Sequence, residues 1–268
     1  MESVKSINDI SSLNENKIIG SPNLENSTIF FNGSGNILYC ENNVNLVNCN
    51  INFGGNNSLI YLSSSKFVYM LNIQIFQDSV IYIGKDNTIN SNVSINVQEH
   101  QNVIIGDEGI IGGNTTIRTA DAHIIYDNVS KKRINFSSGV IIGDHVWIGH
   151  ESYICKGSHI GSGAIISNNS HVPSNSLVNS NTLYEGNPIK IIKHNIFFTK
   201  DYVGPFTDED SCNFSEYTSR IYLFEEKAGE TLDFDKIDEL LSNFRIFDKI
   251  DFIQKLFIQN KKHNRFSI

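Results

Sequence analysis

The sequence predicts a mainly β protein: a parallel β-helix of stacked coils, with one protruding loop and an α-helical C-terminal extension. Three observations carry this prediction. From Ile142 onward an aliphatic residue returns at every sixth position, through Ile148, Ile154, Ile160, Ile166, Val172 and Val178. The same interval links Ile83, Ile89 and Ile95, and again Ile105, Ile111 and Ile117. A period of six fits neither the 3.6 of an α-helix nor the 3.5 of a coiled coil, and it matches the hexapeptide repeats of β-helices. Finally, the step from Ile117 to Ile142 is four sixes plus one, so the chain leaves its repeat there and comes back.

Residues 1–82 read as short β segments with Asn/Gly turns, such as NNVNLVNCNINFGG, in which only pairs like Phe53 and Leu59 keep the interval. They are expected to form irregular early coils. Residues 83–194 are the repeat proper, interrupted by a loop over 118–140. Each unit from IGDHVW to VPSNSL opens on an aliphatic residue, often has Gly second, and places a small residue fifth. The aliphatic side chain points into a narrow core, and Gly, Asn or Asp accepts the positive φ of a tight corner. Over 195–268 the repeat is gone. Phe234, Ile237, Leu241 and Phe244, then Ile250, Ile253 and Phe257, fall at helical spacing, with Asp233 as a candidate N-cap. These helices are expected to pack on the β-helix or on a neighbouring subunit.

The formal charge of −8 argues against a nucleic-acid surface. Acid is concentrated in residues 201–268, which hold 14 Asp/Glu against 9 Lys/Arg. No apolar run approaches the ~18 residues of a membrane-spanning helix. The opening MESVKSINDI lacks the apolar core of a signal peptide, so a cytoplasmic location is expected. Cys40, Cys49, Cys155 and Cys212 have no CxxC pairing and no metal-ligand spacing, and read as free thiols, Cys155 as a packing residue. No metal is expected.

The loop RTADAHIIYDNVSKKRIN carries Asp121-Ala122-His123, and the first repeat after it carries Asp144-His145-Val146-Trp147. A flat β-helix wall needs a protruding loop to close over a substrate. A near-neutral imidazole can take a proton from an alcohol, with a carboxylate fixing its tautomer. An interrupted repeat, a D-x-H and a following D-H-x-W-I-G together are far more specific than a lone surface histidine.

In the hexapeptide run, this loop, the re-entry GVIIGDHVWIG and the closing GNPIKIIK, the chain resembles the hexapeptide-repeat acyltransferases, in particular bacterial surface-polysaccharide O-acetyltransferases, including those acting on sialic acid. The likeness is specific over 83–193, loose before it and absent from 195 onward. The resemblance implies a left-handed β-helix of about three hexapeptides per turn, assembled as a homotrimer with sites between subunits, transferring acetyl from acetyl-CoA to a sugar hydroxyl of a saccharide acceptor. It implies His123 as the general base and Trp147, the only Trp, as a wall or hydrogen-bond donor facing the acetyl group. Direct transfer requires no acyl-enzyme, and no Ser or Cys has the setting of an activated nucleophile. Asp121 is expected to orient the base or the acceptor. His145 could line the same cleft or cap a turn. Arg118, Tyr126, Lys131, Lys132 and Arg133 are candidate contacts to an acidic glycan or a CoA phosphate. Gly149, Ala164 and Ser167 would lie along the pantetheine arm, and Lys190 and Lys193 near the CoA phosphates. Ile189 stands where the family ending GNPAK has Ala. N-acetylation of an amino sugar or nucleotide sugar, or a non-catalytic carbohydrate-binding scaffold, are the alternatives.

Overall fold

In the computed structural model, which describes residues 1–268, the chain winds into a left-handed parallel β-helix with three faces. The first face stacks eight strands, from Glu2–Val4 to His171–Val172. The second stacks eight more, from Lys17–Ile19 to Leu177–Val178. The third has six, from Thr88–Ile89 to Lys190–Lys193, above a lower pair, Asn23–Glu25 and Asn45–Val47. Neighbouring rungs run parallel except at the two ends. There Glu2–Val4 and Lys190–Lys193 pair antiparallel to the column and occupy its open edges.

The register corrects the reading of residues 1–82. Ile29, Ile51, Ile73, Ile95 and Ile117 stack one above another on the first face. Each coil counted on that face is therefore 22 residues long, the same separation at which the Asn52 amide reaches Gln74 on the next rung. The early coils stack continuously on the first two faces, on a longer and less even ruler: rungs of the second face lie 20 to 22 residues apart. The upper coils are the expected three hexapeptides, with Ile154 stacked on Val172 and Ile160 on Val178. Their rungs lie 18 residues apart, as in the bond from the His150 N–H to Asn168 Oδ1. The four additional residues lie around the corner between the first and second faces, where they lengthen both strands. Each lower coil thereby points two further side chains inward. One added stack is Phe31, Phe53, Ile75 and Val97; the other is Leu38, Ile60, Ile81, Val103 and Val140. All are buried. At about 1.5–3 kcal/mol for each fully buried aliphatic side chain, these stacks are a large share of the lower core.

Both additional stacks end at the loop. Val97 is followed one coil on by Thr119, whose Oγ1 accepts a hydrogen bond from the Gln98 N–H at 2.9 Å, and Val140 is the residue on which the chain re-enters the second face. The excursion therefore springs from the step where the column narrows.

Beyond the repeat come three short helices, α1 (Asp208–Asn213), α2 (Phe234–Asn243) and α3 (Ile246–Ile253), with a π-helical turn Gln254–Gln259 continuing α3. Asp233 caps α2 by accepting from the Lys236 N–H at 3.1 Å. The sequence left the packing partner of these helices open, and within the chain it is the second face. Ile237, Leu241, Ile250, Ile253, Phe257 and Phe266 cover its outward Tyr61, Tyr82, Ile104 and Ile141. The Arg265 guanidinium then locks the tail down, donating to both Asp144 oxygens at 2.7 Å and to Asp107 Oδ2 at 2.9 Å.

Candidate active site

The excursion is a short two-stranded flap. Tyr126 and Arg133 face each other across an antiparallel bridge, and the Ile134 N–H donates to the Ile125 carbonyl at 3.0 Å. Asp127 closes the tip, its Oδ1 accepting from Ser130 N–H at 2.6 Å, as an aspartate-initiated turn does. Two ion pairs fasten the flap to the column on either side of the step. Below, Arg133 grips Glu99 with both guanidinium arms at 2.8 and 2.7 Å, and these bonds, with one from Ser137, pull the Glu99 carboxyl down to about 2. Above, the buried Lys156 donates to Asp121 Oδ2 at 2.5 Å, which with Asn135 holds the Asp121 carboxyl below the usual range.

His123 stands exposed on this flap. Its backbone carbonyl accepts from Asn135 Nδ2 at 2.8 Å, and the residue before it, Ala122, sits at φ 70°. That is left-handed backbone, which costs an alanine roughly 1–2 kcal/mol. Asp121 lies in the same network, paired with Lys156 rather than with the imidazole. At the foot of the flap Arg118 donates to the Tyr153 hydroxyl at 2.9 Å, and Tyr153 stacks on His171, 5.5 Å between centroids. His171 Nε2 is 3.5 Å from Cys155 Sγ, and burial pushes that thiol up, away from thiolate character.

Trp147 lies elsewhere, on the third face between Ile110 and Ile165, 41 % exposed. The flap roots at the corner between the other two faces, so the single chain does not bring His123 and Trp147 together. His145 lies on the Trp147 side of the column, away from the flap. It occupies a corner position at φ 54°, where neighbouring coils place Glu108 and Gly163. There it is buried as a slab between Phe198 and Tyr222, centroids 4.0 and 4.1 Å away, with Nε2 on the Phe198 carbonyl at 2.9 Å. Burial lowers its pKa and favours the neutral ring. Its place is the seam with the extension.

The other expected contacts separate in the same way. Arg133 is committed to Glu99, while Tyr126, Lys131 and Lys132 are exposed on the flap. Ala164 is wholly buried, its carbonyl taken by the Trp147 N–H and its N–H donated to Gly161, so it has no group to offer a ligand. Gly149 answers a packing demand: a Cβ there would come within 2.4 Å of the Asn168 nitrogen. Ser167 is half-buried on the third face, and Lys190 and Lys193 are exposed at its end. Sequence reasoning missed Lys156, Asn135, Glu99 and Tyr153. Of these only Lys156 left a signal, a long cation in a corner of small residues. No group of three or more His, Cys, Asp or Glu side chains is arranged to hold a metal.

Residues 139–174 match the family described as bacterial transferase hexapeptide (six repeats). The fold matches a solved polySia specific acetyltransferase, NeuO, at 30% identity and a TM-score of 0.65, covering 75% of this chain and 93% of that one. The chain belongs to the hexapeptide-repeat acyltransferases. A second solved relative in the family, the polysialic acid O-acetyltransferase OatWY, is 26% identical with a TM-score of 0.61, over 75% of this chain and 96% of that one. A polysialic acid O-acetyltransferase from Escherichia coli O1:K1 / APEC is 42% identical over 98 residues, 36% of this chain and 31% of that protein. The chain thus spans about a third of the length of that relative. No helix is long and apolar enough to cross a membrane.

Proposed function

We propose that this protein is an acetyl-CoA-dependent O-acetyltransferase acting on a sugar hydroxyl of a bacterial surface polysaccharide, with a sialic acid polymer as the acceptor class. The observation that carries the reading is the flap: an exposed imidazole held on a doubly fastened arm, in a chain whose relatives act on polysialic acid. In this reaction His123 accepts the proton of the acceptor hydroxyl as its oxygen attacks the thioester carbonyl. The C–S bond breaks, and the CoA sulfur leaves with the proton that the imidazolium returns. Trp147 walls the acetyl group, and the donor runs along the third face past Ser167 towards Lys190 and Lys193.

Because the flap and Trp147 lie on different sides of one column, the site is completed by a neighbouring copy. A homotrimer supplies one flap to each Trp147 face. The apolar side chains that the flap leaves exposed, Ile124, Tyr126, Ile134 and Phe136, suit burial at such an interface.

Incubation with acetyl-CoA and sialic acid oligomers should release CoA thiol and yield a base-labile acetyl ester. A base-stable product would point to N-acetylation instead. His123→Ala should lower kcat by roughly 10²–10⁴-fold, the usual worth of a general base, with the KM for acetyl-CoA little changed. Full activity in that variant overturns the mechanism. Glycan binding with no acetyl-CoA affinity by calorimetry overturns the enzyme reading.

A further inference from the structure

We propose that Lys156 and Asn135 are positioning residues that set the location of His123 through its backbone. The proposal rests on His123 being the base, and its test separates the two.

The imidazole itself is exposed, so residue 123 is placed by what grips the chain on either side of it. Asn135 is 8 % exposed and uses its amide at three points. Nδ2 donates to the His123 carbonyl at 2.8 Å and to Asp121 Oδ2 at 3.0 Å, and Oδ1 accepts from the Ile125 N–H at 2.8 Å. One side chain therefore ties down residues 121, 123 and 125. Asp121 in turn is held by Lys156, which rises from the first narrow corner of the upper column and is 7 % exposed. An ammonium this buried is costly unless a carboxylate meets it, so Lys156 and Asp121 each fix the other. Between the gripped residues Ala122 is held at φ 70°, a conformation that an unrestrained alanine on a loop would leave. The chain of contacts runs from the rigid column through Lys156, Asp121 and Asn135 to the backbone of His123. The substrate-facing ring stays free.

The test uses Lys156→Met, which keeps the aliphatic stem and removes the charge, and Asn135→Ala. Ile125 amide exchange by NMR reports the grip without reference to catalysis. In both variants it should speed up about tenfold or more as its hydrogen-bond network loosens. The kcat should fall about 10–100-fold, the range expected when a catalytic group drifts by an ångström or so, with the KM for acetyl-CoA within about twofold. Lys156→Arg should recover part of the kcat. The double variant His123→Ala, Lys156→Met should be no slower than His123→Ala alone, because a mislocated base that is already absent cannot be lost twice.

Unchanged kcat in a folded Lys156→Met protein, with His123→Ala inactive, overturns the positioning role and leaves the base standing. Additive losses in the double variant also overturn it. Full activity in His123→Ala removes the base and this proposal with it. Should Lys156→Met fail to fold, Asp121→Asn breaks the same contact from the exposed side, and the same kcat and exchange outcomes decide.

Discussion

The two halves of this column are built on different rulers. Below the flap the rungs of the first face repeat every 22 residues, and above it every 18 residues, so the lower coils carry two inner stacks that the upper ones lack. The wide half can stack Phe31 on Phe53 with their rings 4.8 Å apart, whereas the inward positions of the narrow half are Ile and Val up to Val178, with small residues such as Ala or Ser at the corners. A β-helix that changes width must end some of its stacks, and an ended stack leaves a ledge. Here the flap stands on that ledge, with Glu99 of the wide half fastening one side and Lys156 of the narrow half the other. The flap thus belongs to the step in width and was not dropped into a uniform repeat at random.

Three substitutions test how the halves are joined. The largest effect is expected at Arg265, whose guanidinium bridges Asp107 of the last wide coil and Asp144 of the first narrow one. Burial raises the Asp107 pKa, and Arg265 is the cation that offsets it. Arg265→Met strands two carboxylates and unseats Phe266 from the second face. Chemical denaturation should show a loss of about 3–5 kcal/mol, the range for breaking a buried charged cluster from one side. A loss below about 1 kcal/mol would mean that the halves are joined by the backbone ladder alone.

Second comes Asp238 on α2, which accepts from Asn102 Nδ2 at 2.9 Å in the wide half and abuts Gly139, where the chain returns from the flap. Burial raises its carboxyl to about 6. A carboxyl whose folded pKa lies above its unfolded value binds its proton more tightly in the native state, so this group lowers stability as pH rises through the interval between about 4 and 6. Above it the penalty is fully present, and below it absent. Asp238→Asn removes the charge and brings a donor beside Asn102 Oδ1, which is buried without a partner. Its Tm should exceed the wild type's at pH 7, with a gain of about 2 kcal/mol that disappears by about pH 4. A gain that persists unchanged in acid would show that the effect is packing and not charge.

How much of this could be read from the sequence follows from how far apart the partners lie. The upper hexads were legible because each unit meets its neighbour at a short, fixed interval, and the excursion was legible as a break in that interval. His123 and Trp147 stood out because one lies in the break and the other puts an indole at an outward position. The longer ruler of the wide half was hidden, because four additional residues reset the six-residue beat in every coil. Ile95 and Ile105 therefore look out of step when they are consecutive rungs of adjacent faces. Lys156, Asn135 and Arg265 were hidden for a different reason. Their meaning lies in contacts with Asp121, His123 and Asp107, across separations that no local pattern spans; for Arg265 the separation is 158 residues. His145 was ambiguous because a D-H-x-W string looks catalytic until the extension folds over it.

The smallest effect, and the sharpest question about the step, lies at Thr119. It occupies the rung above Val97 and is wholly buried, so its place in the wide half's added stack would suit valine by volume. Valine would give the stack one more apolar rung. The threonine hydroxyl instead meets the Gln98 backbone, accepting from its N–H at 2.9 Å and approaching its carbonyl at 3.3 Å, and so closes the corner beneath the flap. Thr119→Val swaps that for a methyl and takes the acceptor from the Gln98 N–H in this part-buried corner, at a cost of about 1–3 kcal/mol that the added methyl offsets by about 1. The expected outcome is a modest net loss of stability, with faster exchange at the Gln98 amide and no change in the upper coils. A more stable protein would mean that the stack ends there for want of a further apolar residue. The hydroxyl would then be no part of what turns the chain out into the flap.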